Sequence, residues 1–374
     1  MIRALFVLGT RPEAIKLAPV ITECVQRAAI DVTICSTGQH REMLSQALAA
    51  FNITPDIELN LMKDHQQLGE LTARAITETA RIFTEQKPDV VVVHGDTTTA
   101  MSTALAAFYD QIPVMHVEAG LRTFDKHNPF PEELNRVFID HIAVHCMAPT
   151  ELAAQNLKDS GVPDQNIEIT GNTAVDALLS IAEKVRTNIA PTTLPNGLQN
   201  AINSGKKIVT VTGHRRESFG HDFEQICLAL QDIVTENPDA VIAYPVHLNP
   251  NVQEPVSRIL GTTDRVFLFD PLPYPDFVWL LMHSYLVLTD SGGVQEEVPS
   301  LDKPVLVMRK VTERPEGIDA GCAKLVGVQQ SSIASGIRKL LTQAELYKQM
   351  AAAPNPYGDG KASKRIADRL ERIL

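Results

Sequence analysis

The sequence predicts an α/β protein built from two doubly wound parallel-sheet domains, and three observations lead to this. The chain has 374 residues, more than one ordinary core holds, since domains cluster at about 100 to 150 residues. Strand-like runs alternate with helix-length amphipathic segments through almost the whole chain. The strand-like runs are continuously β-branched rather than alternating, as expected when helices cover both faces of a parallel sheet.

Ten strands are predicted, five in each half of the chain: Ala4–Leu8, Val32–Ser36, Asp89–Val93, Val114–Val117, Ile142–Met147, Lys207–Thr212, Ala240–Tyr244, Arg265–Phe269, Tyr285–Thr289 and Pro304–Met308. The segment Thr187–Gly205 is rich in Pro, Asn, Thr and Gly and predicts a linker. We therefore expect an N-terminal domain over residues 1–186, a C-terminal domain over 206–360, and a helix over 361–374 that could pack back on the first domain.

Bulk composition excludes several classes of protein. The formal charge of −11 disfavours a nucleic-acid partner, because a polyanion is normally met by a basic surface. The apolar run at the N-terminus is too short for a signal peptide, and no stretch approaches the roughly 20 apolar residues that span a bilayer. The five cysteines are scattered without a C-x-x-C pair, which predicts buried thiols. We expect a cytoplasmic protein with no membrane partner.

The two halves open alike. Phe6–Glu13 and Val209–Glu217 both run from a strand through Gly to a cluster that contains Arg and then Glu. In open α/β sheets the ligand lies outside the carboxyl ends of the strands. We therefore expect these loops to line one cleft from opposite sides, with chance similarity of two strand ends as the alternative.

The segment Leu286–Glu297 has the order of strand, tight glycine turn and helix start. Gly292 and Gly293 let the backbone approach an anion, and free N–H groups at a helix start favour negative charge. Glu297, one turn into the helix, could accept hydrogen bonds from two ribose hydroxyls. A Gly-Gly turn by itself is more often only a turn, so the pairing of the two features is what indicates a nucleotide.

Basic residues gather at strand ends although the chain is acidic: Arg11, Lys16, His214, Arg215, Arg216, Arg309, Lys310 and Arg314. Arg suits bidentate recognition of phosphate, so this concentration indicates an anion site. For Arg215, Arg309 and Lys310 a solvated surface charge fits at least as well.

Acidic residues follow the strands of the first half. Asp96 follows Asp89–Val93, Glu118 follows Val114–Val117, and Glu132 and Glu133 lie near a helix start. Helix capping by Asp96 and a favourable first-turn charge at Glu132 are the structural alternatives. Glu118 is harder to explain structurally, because an acid that ends a buried strand needs a partner or a purpose.

Other motifs carry no chemistry. His141 and His145 have helical spacing but lack the Glu of a zinc-protease helix and fall in a strand-like run, so we interpret them as structural. Neither G-x-G-x-x-G after a strand nor G-x-x-x-x-G-K-[ST] occurs. No dinucleotide, NTP, metal or other cofactor is therefore expected.

Ten segments, in order and across nearly the whole chain, resemble the non-hydrolysing UDP-N-acetylglucosamine 2-epimerases: GTRPEAIKLAPVI, GQHREM, VHGDTTTA, HVEAGLRT, PFPEELNR, GNTAVDAL, VTGHRRES, YPVHLNP, LTDSGGVQEE and KPVLVMRKVTERPE. The resemblance implies the GT-B architecture, with two Rossmann-like domains, the active site in the interdomain cleft, and a homodimer. It also implies reversible conversion of UDP-GlcNAc to UDP-ManNAc, by anti elimination of UDP to a 2-acetamidoglucal and re-addition, for surface polysaccharides such as enterobacterial common antigen.

The resemblance also implies a role for each site residue. UDP would be held by Arg11, His214, Phe277, Ser291, Gly292, Gly293, Glu297 and Arg314. The sugar would be surrounded by Lys16, Asp96, Glu118, Glu132 and His214. Inversion takes a proton from one face and returns it to the other, which suits two acids; we assign Asp96 and Glu132 to proton transfer and Glu118 to orienting the sugar.

A second UDP-GlcNAc binds as an activator in bacterial members of that family, and Gln39, Arg41, Arg216 and His247 fall where its pocket would be. Glu42 and His65 occupy positions that vary within the family, and the proline-rich stretch Asp270–Phe277 departs from its pattern near the uracil. A GT-B glycosyltransferase, a hydrolysing epimerase and a non-catalytic nucleotide-sugar sensor are the alternatives.

Overall fold

Two separate parallel sheets organise the chain, which the computed structural model describes over residues 1–38, 41–62, 66–188 and 190–373. The strands of these residues are β1 (Ile2–Leu8), β2 (Ile30–Ser36), β3 (Ile57–Glu58), β4 (Val90–His94), β5 (Val114–Val117), β6 (His145–Ala148), β7 (Ile167–Ile169), β8 (Lys207–Thr212), β9 (Ala240–Pro245), β10 (Val266–Phe269), β11 (Leu286–Thr289), β12 (Val305–Val307) and β13 (Ala323–Leu325).

Helices connect these strands. Those of the described residues are α1 (Arg11–Val25), α2 (Arg41–Ala49), α3 (Leu68–Gln86), α4 (Thr98–Tyr109), α5 (Glu132–Ile142), α6 (Glu151–Asp159), α7 (Thr173–Val185), α8 (Asn196–Asn203), α9 (His221–Glu236), α10 (Pro250–Leu260), α11 (Tyr274–Met282), α12 (Gly292–Glu297), α13 (Pro315–Asp319), α14 (Gln330–Thr342), α15 (Ala344–Ala351) and α16 (Ala362–Glu371).

The two sheets have the same strand order. It is β3-β2-β1-β4-β5-β6-β7 in the first and β10-β9-β8-β11-β12-β13 in the second, and every pairing is parallel. In each sheet the chain first builds outward in one direction and then in the other, which leaves a switch point between β1 and β4 and between β8 and β11. Ligands of doubly wound sheets bind beside such points. The predicted pair of doubly wound parallel sheets is confirmed.

The sequence missed three short strands and began one predicted strand inside a helix. β3, β7 and β13 have only two or three residues, too few for a hydrophobic pattern to reveal. The predicted strand Ile142–Met147 is wrong at its start, because helix α5 runs to Ile142 and β6 begins at His145. The backbone N–H of Ala143 still donates to the Ile139 carbonyl, and only there does the chain become extended.

The chain divides into two compact units. Unit 1 comprises Met1–Ser180 and Tyr357–Leu374, and unit 2 comprises Ile181–Pro356. The predicted linker is not irregular throughout, since it contains α8, whose Leu198 is fully buried. Gly197 lies so close to the Phe267 ring that a Cβ there would be 2.6 Å from a ring carbon. This close approach packs α8 into unit 2.

Helix α16 packs on α1 of unit 1. Its apolar residues Ile366 and Leu370 are fully buried, and Arg27 of α1 pairs with Asp368 at 2.6 Å and Glu371 at 3.0 Å. At the start of α16, Asp176 accepts hydrogen bonds from the backbone N–H groups of Ala362 and Ser363. The last turns of the chain are thus part of the unit 1 core.

All five cysteines are free and buried, as predicted. Burial raises the pKa of the Cys24 and Cys35 thiols to about 12. Within the described part of the chain, no helix combines the length and apolar character needed to cross a membrane.

Replacing Leu370 by Ala should destabilise unit 1. The substitution removes buried methyl groups and leaves a cavity, which costs about 2 to 5 kcal/mol. Urea unfolding followed by far-UV circular dichroism should show a lower midpoint. Glu371→Ala, one residue away on the exposed side of α16, should change the unfolding free energy by at most about 1 kcal/mol. Equal losses for both variants would show that α16 is not packed through Leu370.

Candidate active site

The loop after β1 is held by a buried carboxylate. Glu13 accepts hydrogen bonds from the backbone N–H groups of Gly9 and Thr10, at 2.9 and 2.7 Å, and from the hydroxyls of Thr10 and Thr97. Thr10 in turn caps helix α1. Burial raises the pKa of Glu13, while these hydrogen bonds oppose the rise. One side chain thereby fixes the loop that carries Arg11 and joins it to the loop after β4.

The loop after β4 presents Asp96. Thr97, not Asp96, is the N-cap of α4, so the capping alternative for Asp96 is wrong. The Asp96 carboxylate instead lies 2.5 Å from the Arg136 guanidinium, and Asn135 donates to the Asp96 carbonyl at 2.9 Å. Two consecutive residues of α5 therefore hold Asp96 by its side chain and its backbone.

Glu118 follows β5 with a φ of 67°, in the left-handed region that non-glycine residues seldom adopt. Its carboxylate forms an ion pair with Lys16 of α1, accepts from Asn172 at 3.3 Å and lies 3.6 Å from His94 Nε2. Only 11% of the side chain is exposed. The partner that a buried acid at a strand end needs is therefore Lys16.

Two acids, Glu118 and Glu132, lie close enough to Asp96 to affect its ionisation. Burial raises the pKa of Asp96, the Arg136 charge opposes this, and the charges of Glu118 and Glu132 raise it further. Glu132 itself is half-buried in the first turn of α5. The structure thus brings together the four unit 1 residues that the sequence assigned to the sugar: Lys16, Asp96, Glu118 and Glu132.

A fully buried network beneath these acids escaped sequence reasoning. The two ring nitrogens of His116 lie 2.7 Å from Asp140 of α5 and from the Gly95 carbonyl. Asp140 also accepts from Arg122 at 2.6 Å and from the Gly120 N–H at 3.3 Å. Helix α5, strand β5 and the loops before Asp96 and after Glu118 are therefore joined at one point.

In unit 2 a second buried carboxylate, Asp290, holds the loop after β8, as Glu13 holds the loop after β1. Its Oδ2 accepts from the backbone N–H groups of His214 and Arg215, at 2.7 and 2.8 Å. A Cβ at Gly213 would lie 3.2 Å from the Tyr244 hydroxyl and closer still to Met308. Glycine at this position therefore lets the β8 loop pass close to Asp290.

His214 lies at the surface end of this arrangement. Its Nδ1 is 3.4 Å from Asp290 Oδ1, and its ring stacks on His247 with centroids 5.3 Å apart. Loss of water lowers the pKa of His214 while Asp290 opposes the change, and His247 and Arg215 lower it further. A histidine with a lowered pKa is neutral near pH 7 and can donate one hydrogen bond without carrying a charge.

The glycine turn after β11 adjoins an arginine. Ser291 is the N-cap of α12, and its own N–H is held by the Thr289 hydroxyl at 2.9 Å. A Cβ at Gly292 would meet the Arg314 guanidinium at 3.5 Å, and Arg314 is fixed by Glu296 at 2.5 Å. The turn thus has no side chain between its backbone and an oriented cation, as a phosphate group requires.

Glu297 of α12 is contacted by α11, the helix that also carries Phe277. The Tyr274 hydroxyl donates to Glu297 at 3.4 Å, and Phe277 is three residues further on in the same helix, so both face one side of it. Unit 2 therefore brings together His214, Ser291, Gly292, Gly293, Glu297 and Arg314, and Phe277 lies on the helix that contacts Glu297.

Arg309 and Lys310 form ion pairs elsewhere and are not part of the group around the glycine turn. Arg309 is buried and pairs with Glu217 at 2.8 Å, while Lys310 pairs with Asp222 at 2.7 Å. The buried Arg309 shows that a solvated surface charge was the wrong alternative for it. Arg216 is exposed and lies one residue after Arg215, on the same loop as His214.

Several predicted residues lie outside the described part of the chain. These are Gln39 and His65, together with the side chains of Arg41 and Glu42. His141 lies on α5, and His145 accepts a hydrogen bond from Arg369 of α16. Burial lowers the pKa of His145 to about 4. In the described residues no group of three or more His, Cys, Asp or Glu side chains has the geometry of a metal site.

Comparison with known proteins identifies the family. The model of the family described as UDP-N-acetylglucosamine 2-epimerase matches residues 22–371. The chain belongs to this family. It is 51% identical over 369 residues to the UDP-N-acetylglucosamine 2-epimerase of Escherichia coli strain K12, covering 99% of this chain and 98% of that protein.

Solved structures of the epimerase family agree. The UDP-GlcNAc 2-epimerase of Neisseria meningitidis, solved bound to UDP-GlcNAc, superposes with a TM-score of 0.89 at 42% identity and covers 99% of both chains. The Staphylococcus aureus MnaA–UDP structure superposes with a TM-score of 0.87 at 42% identity, over 99% of this chain and 95% of that one. The predicted resemblance to the UDP-N-acetylglucosamine 2-epimerases is confirmed.

Removal of the Asp290 carboxylate should destabilise unit 2. Asp290→Ala leaves two backbone N–H groups without their acceptor, at about 1 to 3 kcal/mol each. Trp279 is the only tryptophan and lies in α11, so its fluorescence in urea reports on unit 2. The matched change Asp239→Ala, at an exposed carboxylate paired with Lys206, should leave the midpoint unchanged. An unchanged midpoint for Asp290→Ala would mean that this carboxylate does not hold the β8 loop.

Proposed function

We propose that this epimerase is of the non-hydrolysing type and interconverts UDP-GlcNAc and UDP-ManNAc at C2 of the sugar. The observation that carries the proposal is a group of three acids in unit 1, in which the charges of Glu118 and Glu132 both act on Asp96, with Lys16 paired to Glu118. Inversion requires proton acceptors and donors on two faces of one carbon. A group of carboxylates with unequal surroundings is suited to that task.

The UDP portion of the substrate is assigned to unit 2. The Ser291–Gly293 turn offers backbone N–H groups, and Arg314 adds an oriented positive charge. Arg11, at the start of α1, is the unit 1 cation assigned to the same diphosphate. Glu297 accepts hydrogen bonds from the ribose hydroxyls, and Phe277 lies against the uracil. That both sets of residues act on one substrate molecule is part of the proposal.

The reaction proceeds in two half-reactions. A carboxylate accepts the C2 proton, the C–H electron pair forms a C1=C2 double bond, and the C1–O bond breaks with its electron pair passing to UDP. A second acid then delivers a proton to the opposite face of C2 while UDP adds back at C1. The C2 hydrogen is weakly acidic, so stabilisation of the departing diphosphate and a well-placed base must act together. His214, neutral near pH 7, donates a hydrogen bond to that diphosphate.

Four further features belong to the same proposal. The enzyme is a cytoplasmic homodimer that supplies ManNAc units for a surface polysaccharide such as enterobacterial common antigen. A second UDP-GlcNAc activates it through Gln39, Arg41, Arg216 and His247. The stacking of His247 on His214 supports this last feature, because it places a residue of the proposed activating pocket against a residue of the proposed active site.

Incubation with UDP-GlcNAc in D2O should yield UDP-ManNAc that carries deuterium at C2. NMR of the sugar should show an equilibrium mixture of both nucleotide sugars, because the C2 proton exchanges with solvent while UDP stays bound. Accumulation of free ManNAc and UDP would indicate a hydrolysing epimerase. Transfer of the intact sugar to an acceptor would indicate a glycosyltransferase, and retention of hydrogen at C2 in the product would exclude the elimination.

Asp96→Asn should abolish turnover while leaving UDP binding intact. An amide cannot accept the C2 proton, and positioned acid–base groups contribute about 10² to 10⁴-fold to rates. Turnover is measured by NMR and UDP affinity by calorimetry. Asp159→Asn, on the exposed end of α6, is the matched control and should behave as wild type. Wild-type turnover in Asp96→Asn would remove Asp96 from the site.

A further inference from the structure

The two acids assigned to proton transfer have different surroundings. Asp96 lies 2.5 Å from the Arg136 guanidinium. Glu132, which begins the same helix as Arg136, makes no hydrogen bond or ion pair with any described side chain. The guanidinium is therefore in direct contact with Asp96, and this contact distinguishes the two acids.

Arg136 is itself fixed on both sides. Its other terminal nitrogen lies 3.5 Å from Glu133, and Glu133 is held by the backbone N–H groups of Thr123 and Phe124, both at 3.0 Å. Only 12% of the Arg136 side chain is exposed. A cation that is buried, paired and attached to a helix cannot follow a moving carboxylate, so it determines where the Asp96 carboxylate lies.

We propose that Arg136 is a positioning residue for the epimerisation: its guanidinium keeps the Asp96 carboxylate ionised and in place, so that Asp96 rather than Glu132 accepts the C2 proton of UDP-GlcNAc. This inference rests on the proposed function. It assigns a task to a residue that touches the acid and not the reacting carbon.

The charges around Asp96 support this division of roles. Glu132 of α5 and Glu118 after β5 both act against its ionised form, and burial does so more strongly. Lys16 and His94 lie against Glu118, and Glu133 lies beyond Arg136. Arg136 is thus a cation in direct contact with Asp96. Burial and the two acids raise the pKa of Asp96 while Arg136 opposes the rise, and a carboxylate with a raised pKa is a stronger base in its ionised form.

Removal of Arg136 should shift the pH dependence of catalysis. Without the cation the pKa of Asp96 rises further, so the carboxylate is protonated at pH values where the wild type is active. The acid limb of kcat in Arg136→Met should move upward by about 1 to 3 pH units. Below the new limb, kcat should fall about tenfold for each pH unit. KM for UDP-GlcNAc and the affinity for UDP should stay near the wild-type values.

Two further variants keep the test decisive. Arg136→Lys retains a charge but loses the planar fork, so its acid limb should move in the same direction by a smaller amount. It takes the place of Arg136→Met if circular dichroism shows that Arg136→Met does not fold. Arg81→Met, in an exposed ion pair on α3, should leave the whole profile unchanged. A limb that stays at the wild-type pH while kcat falls equally at every pH would overturn the assignment.

The outcomes for the two proposals are separable. If the wild type forms no UDP-ManNAc at any pH, the proposed function fails and the role of Arg136 fails with it. If the wild type epimerises UDP-GlcNAc and the limb does not move in either Arg136 variant, only the role of Arg136 is wrong.

Discussion

The candidate site depends on buried carboxylates that accept hydrogen bonds from backbone N–H groups. Glu13 holds the loop after β1 and Asp290 holds the loop after β8. A loop at the end of a parallel strand has no ladder to satisfy its N–H groups, and burying them without an acceptor would cost several kcal/mol in all. Each of these carboxylates accepts hydrogen bonds from two such N–H groups. It thereby fixes the direction in which the neighbouring Arg11 or His214 leaves the loop.

Helix α5 also holds loops of unit 1 in place through its polar side chains. Four polar residues along this helix hold two neighbouring segments: Asn135 and Arg136 contact Asp96 after β4, while Glu133 and Asp140 contact β5 and the loop after it. Glu132, in the first turn of the same helix, makes no such contact with the described residues. A rigid helix that carries both a candidate catalytic acid and the supports of two others keeps all three in register. The acidic net charge of the chain is compatible with an anionic ligand because basic residues are concentrated at the carboxyl ends of the parallel strands.

The two halves of the chain show which features of the loops the sequence similarity predicted. The loops Phe6–Glu13 and Val209–Glu217 do follow equivalent strands, since both sheets have the same order. Their final glutamates nevertheless differ in role, because Glu13 is buried against its own loop while Glu217 is half-exposed and pairs with Arg309. In unit 2 the corresponding acceptor is Asp290, which follows β11 and lies 76 residues beyond His214 in the chain. Local similarity predicted the position of the loops but not the residue that holds them.

The sequence by itself determined the two parallel sheets, the family and the residue types at the strand ends, because β-branched runs, glycine turns and the ten motifs are local properties of the chain. Only the tertiary structure decided which of those residues are partners. Lys16 pairs with Glu118 across 102 positions, and Arg136 pairs with Asp96 across 40. The sequence also left open where its last helix packs, and the structure places it on α1. Such pairings follow from the order in which strands enter the sheet, and no local pattern contains that order.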